Sequence, residues 1–222
     1  MPYRSSSWIA RAEGEGHLQA VTLADGQRTE CDELGVGFGL LPSTELAAAL
    51  GCRIDAESGA IAVDIAQQTS QPHILAAGEC CGIGGADKAL IEGEIAALQI
   101  LGEDIRPLAA RHRRQLAFAA RLHDTFTPRP ELLRLADPGT MICRCEDVSL
   151  GRLRAEHGWR EAKLQTRCGM GACQGRICKP IAHELLGWHA EETTPREPLQ
   201  PAPLRAFVSL RPAAEETPPA PP

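Results

Sequence analysis

The sequence predicts an α/β segment followed by a small helical domain that carries cysteines. Three observations predict it: strand, glycine turn and helix alternate before residue 104, an amphipathic helix and a proline-rich connection fill 105–140, and Cys143, Cys145, Cys168, Cys173 and Cys178 crowd into one short stretch. The 222 residues allow one domain or two small ones with a core of useful size. With 23 Lys and Arg against 29 Asp and Glu the formal charge is −6, which removes the usual electrostatic case for nucleic-acid binding. No apolar run approaches the roughly 18 residues of a membrane span, and MPYRSSSWIARAEGEG lacks the apolar stretch of a signal peptide, so a cytoplasmic location is expected. Nine cysteines in a reducing compartment point to metal rather than to a disulfide framework.

The elements follow in order. HLQAVTLADGQRTECDELGVGFG reads as two strands joined at Asp25-Gly26, a pair suited to the positive φ of a hairpin turn. Pro42-Ser43 introduces a short helix, TELAAALG, with Ser43 as N-cap and Gly51 as stop. Ala60 to Asp64 reads as a strand, and HILAAGE as a buried strand of small and branched residues. After Gly78-Glu79, CCGIGGADKALIEGEIAALQILG is a glycine-rich turn running into a long helix whose apolar face is Leu90, Ile91, Ile95, Leu98 and Leu101.

From Ile105 to about Phe126 a second amphipathic helix carries Leu108, Leu116, Ala119 and Leu122 at helical spacing. Its Arg111, His112, Arg113 and Arg114 lie in an acidic chain without interleaved aromatics and read as a solvated face. TPRPELLRLADPGT, with three prolines, reads as a linker. In the cysteine region, VSLGRLRAEHG (with Asp147 and Ser149 as candidate caps), WREAKLQTR and KPIAHELLGW read as three helices. The final residues, 190–222, are proline-rich and acidic, a composition that stays extended or disordered.

Cys143-Arg-Cys145 and the pair Cys173 and Cys178, flanking QGRI, can together supply the four thiolates of a [2Fe–2S] cluster. Zinc is the rival, since four thiolates also bind Zn²⁺ tetrahedrally, although C-x-C is tighter than the usual zinc knuckle. Cys168 is surplus to four ligands; it reads as a buried or accessory thiol, with replacement of Cys173 as the alternative. Cys31, Cys52, Cys80 and Cys81 read as small buried residues, with a redox pair at Cys80-Cys81 as the alternative. The glycines of CGMGACQG allow tight backbone folding and can aim N–H groups at cluster sulfurs, or are turn chemistry alone.

GVGFG, Gly35 to Gly39, is a weak dinucleotide signal because Leu-Leu-Pro rather than a helix follows it. The TSQPHILAAGE to CGIGGA segment is more specific. Gly78 permits close approach of a cofactor, Glu79 can accept hydrogen bonds from sugar hydroxyls, and the helix after Gly84, Gly85 and Ala86 presents its positive end to phosphate. The alternative is a structural turn with a solvated Glu79.

TSQPHILAAGECCGIGGADKALIEGEIAA resembles the second flavin-binding motif of the two-dinucleotide-domain flavoprotein reductases, and CDELGVGFGLLPSTEL resembles the strand that leaves their inserted domain. ICRCEDVSLGRL with TRCGMGACQGRIC resembles the [2Fe–2S] domain named for bacterioferritin-associated ferredoxin (BFD), as it occurs in the family of opine oxidase A subunits, hydrogen cyanide synthase B subunits and related proline or hydroxyproline dehydrogenase subunits. REPLQPAPLRAFVSL resembles the proline-rich segment that follows it there.

The resemblance implies an incomplete two-dinucleotide-binding-domain flavoprotein fold of α/β class over 1–104, a connecting helix and linker over 105–140, an all-α BFD-like [2Fe–2S] domain over 141–189, and a proline-rich tail over 190–222. It implies FAD contacts at Gly78, Glu79, Gly84, Gly85 and Ala86, and cluster ligands at Cys143, Cys145, Cys173 and Cys178. It further implies an electron-transfer component of a heteromeric dehydrogenase acting on CH–NH donors (amines, amino acids or opines), partnered by a flavin-containing catalytic subunit. Arg144 and Arg176 adjoin ligands and either raise the cluster potential or are solvated. The GxGxxG turns of the family are absent from the sequence. The chain is therefore expected to be a fragment, a split or mis-started product, or a subunit completed by another chain, with an incomplete FAD site, no catalytic residue and no activity alone. A module that binds iron–sulfur or zinc without catalysis is the alternative.

Overall fold

The computed structural model describes residues 3–188 together with Leu199, Ala202, Pro203 and Arg205; the expectations for the proline-rich tail lie outside the described residues. Strands β1 (Ile9–Glu13), β2 (Ala20–Leu23) and β3 (Arg28–Glu30) form an antiparallel meander in the order β1-β2-β3. The expected hairpin is β2–β3, closed through Asp25-Gly26 with Gly26 at φ 85°. β1 lies in a polar stretch, without the alternation that announces a strand; pairing with β2 makes it one.

Helix α1 (Glu45–Ala49) follows. Its N-cap is Thr44 rather than the expected Ser43, whose hydroxyl instead donates to Glu45 Oε2 at 3.1 Å. The two strands expected at Ala60 to Asp64 and at HILAAGE are not ladder strands. They are held by isolated antiparallel bridges, Ile54 to Ile61, Val63 to Thr69 and Gln68 to Leu75. A fully buried strand needs neighbours on both edges; here His73 is exposed and Ile74 to Gly78 are half-buried. Ile61, Ala47 and Cys52 still form a small core, with Ile54, Val63, Ile74, Ala76, Cys80 and Cys81 against it.

The long helix α2 (Ala86–Leu101) and the next, α3 (Ala109–Phe126), pack together. Ile91, Ile95 and Leu108 are buried between them with Leu98 at the margin, whereas Leu90, Leu101 and Leu116, expected on apolar faces, are exposed. The polar residues Lys88 and Glu92 occupy the buried face instead. A one-turn helix, α4 (Pro130–Leu133), interrupts the linker, and Arg129 stacks over Trp8 at 5.0 Å.

The cysteine region has its own core: Ile142, Val148, Leu150, Leu153, Trp159 and Ala162 surround Cys143, Cys168 and Cys178. A short hairpin, β4 (Met141–Cys143) and β5 (Val148–Ser149), precedes α5 (Leu150–Leu153), α6 (Trp159–Thr166) and α7 (Cys178–Leu186). The hairpin corrects the all-α expectation. The first expected helix shrinks to one turn because Val148 and Ser149 pair with β4 and Asp147 takes φ 50° in the intervening turn. Ser149 is the N-cap of α5 but makes no side-chain capping bond.

Candidate metal centre and flavin-type turn

Three elements converge on the cysteines. Cys143 ends β4, Cys178 opens α7, and Cys168 follows the left-handed residue Arg167 that stops α6. The Cys168 N–H donates to Thr166 Oγ1 at 3.2 Å, and that hydroxyl donates to the Ala162 carbonyl at 2.6 Å, so the turn is tied down. The Sγ atoms of Cys143, Cys168 and Cys178 lie within 4.8 Å of one another, all buried. A Zn–S bond of about 2.3 Å places two tetrahedral sulfurs roughly 3.8 Å apart, so the spacing is of the size a metal can bridge.

Cys145 and Cys173 form an outer pair, the first exposed and the second half-buried. Burial raises the Cys145 thiol, and the neighbouring Cys173 and Cys143 charges raise it further. Burial also acts to raise Cys173, but hydrogen bonds from the Ile177 and Gly175 N–H groups, from Cys145 and from the Arg176 N–H outweigh it and bring that thiol below its ordinary value. Of these amides, Gly175 belongs to the glycine-rich stretch CGMGACQG, and Arg176 and Ile177 follow it. Cys178 is raised far above the ordinary thiol range by its hydrogen bond to Cys168, by burial and by the Cys168 charge.

The glycines here are demanded by space. A Cβ on Gly171 would stand 2.3 Å from Cys145 Cβ and 2.9 Å from its Sγ. Gly169, at φ 80°, would meet the Trp159 ring at 2.6 Å. The donor set, all thiol, buried at its base and fed by backbone N–H groups on one sulfur, fits a thiolate-ligated metal or cluster. The structure groups two of the four expected cysteines, Cys143 and Cys178, with Cys168, and leaves Cys145 and Cys173 outside that group. The signal for Cys168 was its place immediately before Gly169-Met170-Gly171.

Arg176 is not a solvated cation. Its Nε donates to Glu45 Oε1 at 3.0 Å and its Nη1 reaches the Cys173 carbonyl at 3.5 Å, so it ties the cysteine loop to α1. Burial acts to raise Glu45, yet its own N–H, Ser43 and the Arg176 charge hold the carboxyl below its usual value. Arg144 is exposed.

At the glycine-rich turn, a short 3₁₀ turn covers Glu79–Cys81. Gly78 and Gly85 sit at φ 92° and 84°. The Gly85 N–H donates to Glu79 Oε1 at 2.7 Å, so the acid expected to meet sugar hydroxyls already engages one oxygen at the start of α2. Gly84 is buried and could bear no Cβ, which would meet Lys88 Cδ at 2.3 Å and Ala119 Cβ at 3.0 Å. Ala86 begins α2, whose first amides have no acceptor within the helix.

A buried network that sequence reasoning missed supports this turn. Lys88 Nζ lies 2.7 Å from Glu92 Oε1 and donates to the Gly82 carbonyl at 3.0 Å, while the Gly78 N–H donates to Glu92 Oε2 at 2.9 Å. His112 Nε2 stands 3.3 Å from Glu92 Oε1, which removes it from the solvated face expected of its neighbours. The available signal was an i,i+4 Lys-Glu pair in register with Ile91 and Ile95. Cys80 and Cys81 have sulfurs 3.9 Å apart, and burial followed by the Cys80 charge pushes the Cys81 thiol up to about 12. Cys81 is therefore protonated near neutrality, the opposite of a reactive thiolate.

Residues 3–98 match the family model described as pyridine nucleotide-disulphide oxidoreductase. The chain is 34% identical to the hydrogen cyanide synthase protein HcnB of Pseudomonas aeruginosa over 91% of its length and 51% of the relative's. Among the opine oxidase A subunits, it is 35% identical to that of Rhizobium meliloti over 91% of its length and 53% of the relative's. The chain thus spans about half the length of these curated relatives. A crystal structure of L-proline dehydrogenase from P. horikoshii superposes with TM-score 0.60 at 19% identity, covering 90% of this chain and 44% of that one, and so shares its fold. The resemblance to oxidoreductase subunits read from the motifs holds across the chain. The family match ends before the cysteines, whose chemistry rests on their own geometry.

Proposed function

We propose that this chain is an electron-transfer subunit, or a part of one, in an FAD- and [2Fe–2S]-dependent dehydrogenase complex acting on amines, amino acids or opines. One observation carries the proposal: a flavin-type acidic turn and a group of thiols occur in one chain, whose cysteine loop is tied to α1 by the Glu45–Arg176 ion pair. Residues 1–104 act as the partial dinucleotide domain, 105–140 as the connection and 141–189 as the cluster domain. Gly78, Glu79, Gly84, Gly85 and Ala86 face one edge of FAD, and Cys143, Cys145, Cys173 and Cys178 hold the cluster. Such a cluster supplies one-electron transfer.

The chain's own residues position and insulate. The Gly175, Arg176 and Ile177 amides stabilise negative charge on Cys173, Trp159 walls the glycine turn, and Lys88 with Glu92 holds the Gly78 to Gly82 backbone. Oxidation of the C–N bond is assigned to a partner protein, as the resemblance implies. Val36, Phe38, Leu40 and Leu41 are largely exposed, Leu40 at 73%, and give such a partner an apolar strip to cover.

The test is a visible spectrum with iron, sulfide and zinc analysis on anaerobically purified protein, repeated for Cys143→Ser. A brown protein with iron and sulfide in equal amount, bleached by the substitution, is expected. A colourless protein with stoichiometric zinc refutes the electron-transfer reading and leaves a structural module, a second reading that the 4.8 Å grouping of Cys143, Cys168 and Cys178 favours.

A further inference from the structure

Five thiols surround a centre that needs four. If only Cys143, Cys145, Cys173 and Cys178 mattered, Cys168 would be a filler side chain, and its sulfur could point anywhere in the core. Instead it lies within 4.8 Å of both Cys143 and Cys178 sulfurs, and its backbone is fixed through Thr166. The five divide into an inner, fully covered triad (Cys143, Cys168, Cys178) and an outer pair (Cys145, Cys173).

We propose that Cys168 is a reserve ligand of the metal centre: with either outer cysteine lost, the inner triad and the remaining outer thiol still present four thiolates. This rests on the metal-centre reading above, with Cys143, Cys145, Cys173 and Cys178 as the resident ligands. The substitution balances simply. The Cys168 S–H bond breaks, its proton leaves to solvent, and a metal–sulfur bond forms where the bond to the outer cysteine stood. No electron moves. The position comes at a cost, because the N–H groups that stabilise Cys173 do not reach the Cys168 turn by any bond found among the described residues. The exchanged centre is therefore weaker and spectroscopically distinct.

The experiment compares wild type, Cys173→Ser, Cys168→Ser and the double variant, reading metal and sulfide per chain and the visible and electron paramagnetic resonance spectra, with far-UV circular dichroism as a folding control. The Cys168→Ser change is nearly isosteric but replaces a buried thiol with a smaller, more polar hydroxyl, so the circular dichroism control decides whether the core holds. Cys168→Ser alone keeps the wild-type spectrum. Cys173→Ser keeps metal, with a shifted spectrum and retention against a chelator about 10–100-fold weaker, and the double variant loses it. Equal loss in Cys173→Ser and the double variant overturns the proposal, as does loss in Cys168→Ser alone, which would make Cys168 an obligatory ligand. Should the double variant misfold, Cys145→Ser and Cys145→Ser/Cys168→Ser repeat the comparison at the other outer position. Wild type that carries zinc instead of iron refutes the electron-transfer reading while these variants, read by zinc content, still test Cys168; wild type without metal overturns both.

Discussion

Glu92→Leu tests whether the Lys88–Glu92 pair organises the flavin-type turn. The two side chains are 3% and 2% exposed, so neither charge is screened by water. Removing the carboxylate strands the ammonium among the Gly78 and Gly82 carbonyls and deprives the Gly78 N–H of its acceptor. Breaking a buried pair in this way costs about 3–5 kcal/mol. For a chain of this size each kcal/mol shifts the melting temperature by about 2–4 °C, so a fall of roughly 6–20 °C is expected. Lys88→Met/Glu92→Leu removes both charges and recovers most of the loss, leaving chiefly the unpaired Gly78 amide. Thermal melts followed by circular dichroism measure the magnitude, and hydrogen exchange of peptides spanning 78–92 locates it. A fall below about 2 °C for Glu92→Leu, with unchanged exchange at Gly78, refutes the reasoning, because an organising pair cannot be removed without exposing the amide it holds.

Four further outcomes are expected. Gly171→Ala forces a methyl to within 2.3 Å of Cys145 Cβ, displacing that thiol, and on the proposed ligand set metal analysis should show reduced occupancy while α2 and α3 keep their helical signal. In chelator-treated protein near neutral pH, Cys173 alkylates fastest of the five clustered cysteines, because backbone N–H groups lower its thiol, whereas Cys178 and Cys81, both raised, alkylate slowly; peptide mass spectrometry gives the order. Glu45 is depressed in the folded chain, so its tie to Arg176 contributes above the unfolded carboxyl value near 4.5 and is lost as pH falls through the lower folded value. The effect on stability is at most about 1 kcal/mol for a pair this exposed, and Glu45→Gln should abolish that part of the acid dependence seen in hydrogen exchange of the 173–178 loop. Replacing Phe38, Leu40 and Leu41 by serine should lower self-association in light scattering if that apolar strip is sticky when uncovered, and an unchanged profile would remove it as a contact surface.

The order of elements and the chemistry of the cysteines were legible in the sequence because they depend on local rules. Asp25-Gly26 makes a hairpin turn and the i, i+4 pair Ile91 and Ile95 makes a buried face, whatever lies elsewhere in the chain, and five cysteines in one short stretch supply thiols within reach of one another. Long-range pairing was not legible. HILAAGE has the composition of a buried strand, but a strand exists only beside partners, and its one bridge here is from Leu75 to Gln68. Leu90, Leu101 and Leu116 have helical spacing, yet which stripe is covered depends on where α3 crosses α2. Cys168 looked surplus because spacing counts residues along the chain, while ligation counts ångströms between sulfurs; the reversal after Arg167 carries it beneath Cys143 and Cys178. Lys88 and Glu92 are buried only by the packing of α2 against its own glycine turn and against His112. Local elements and the kinds of chemistry available were thus written in the residue order, because turn, helix and ligand preferences act over a few positions. Which thiols meet, which charges are buried and which apolar faces stay open were settled by folding, because those are distances between residues far apart in the chain.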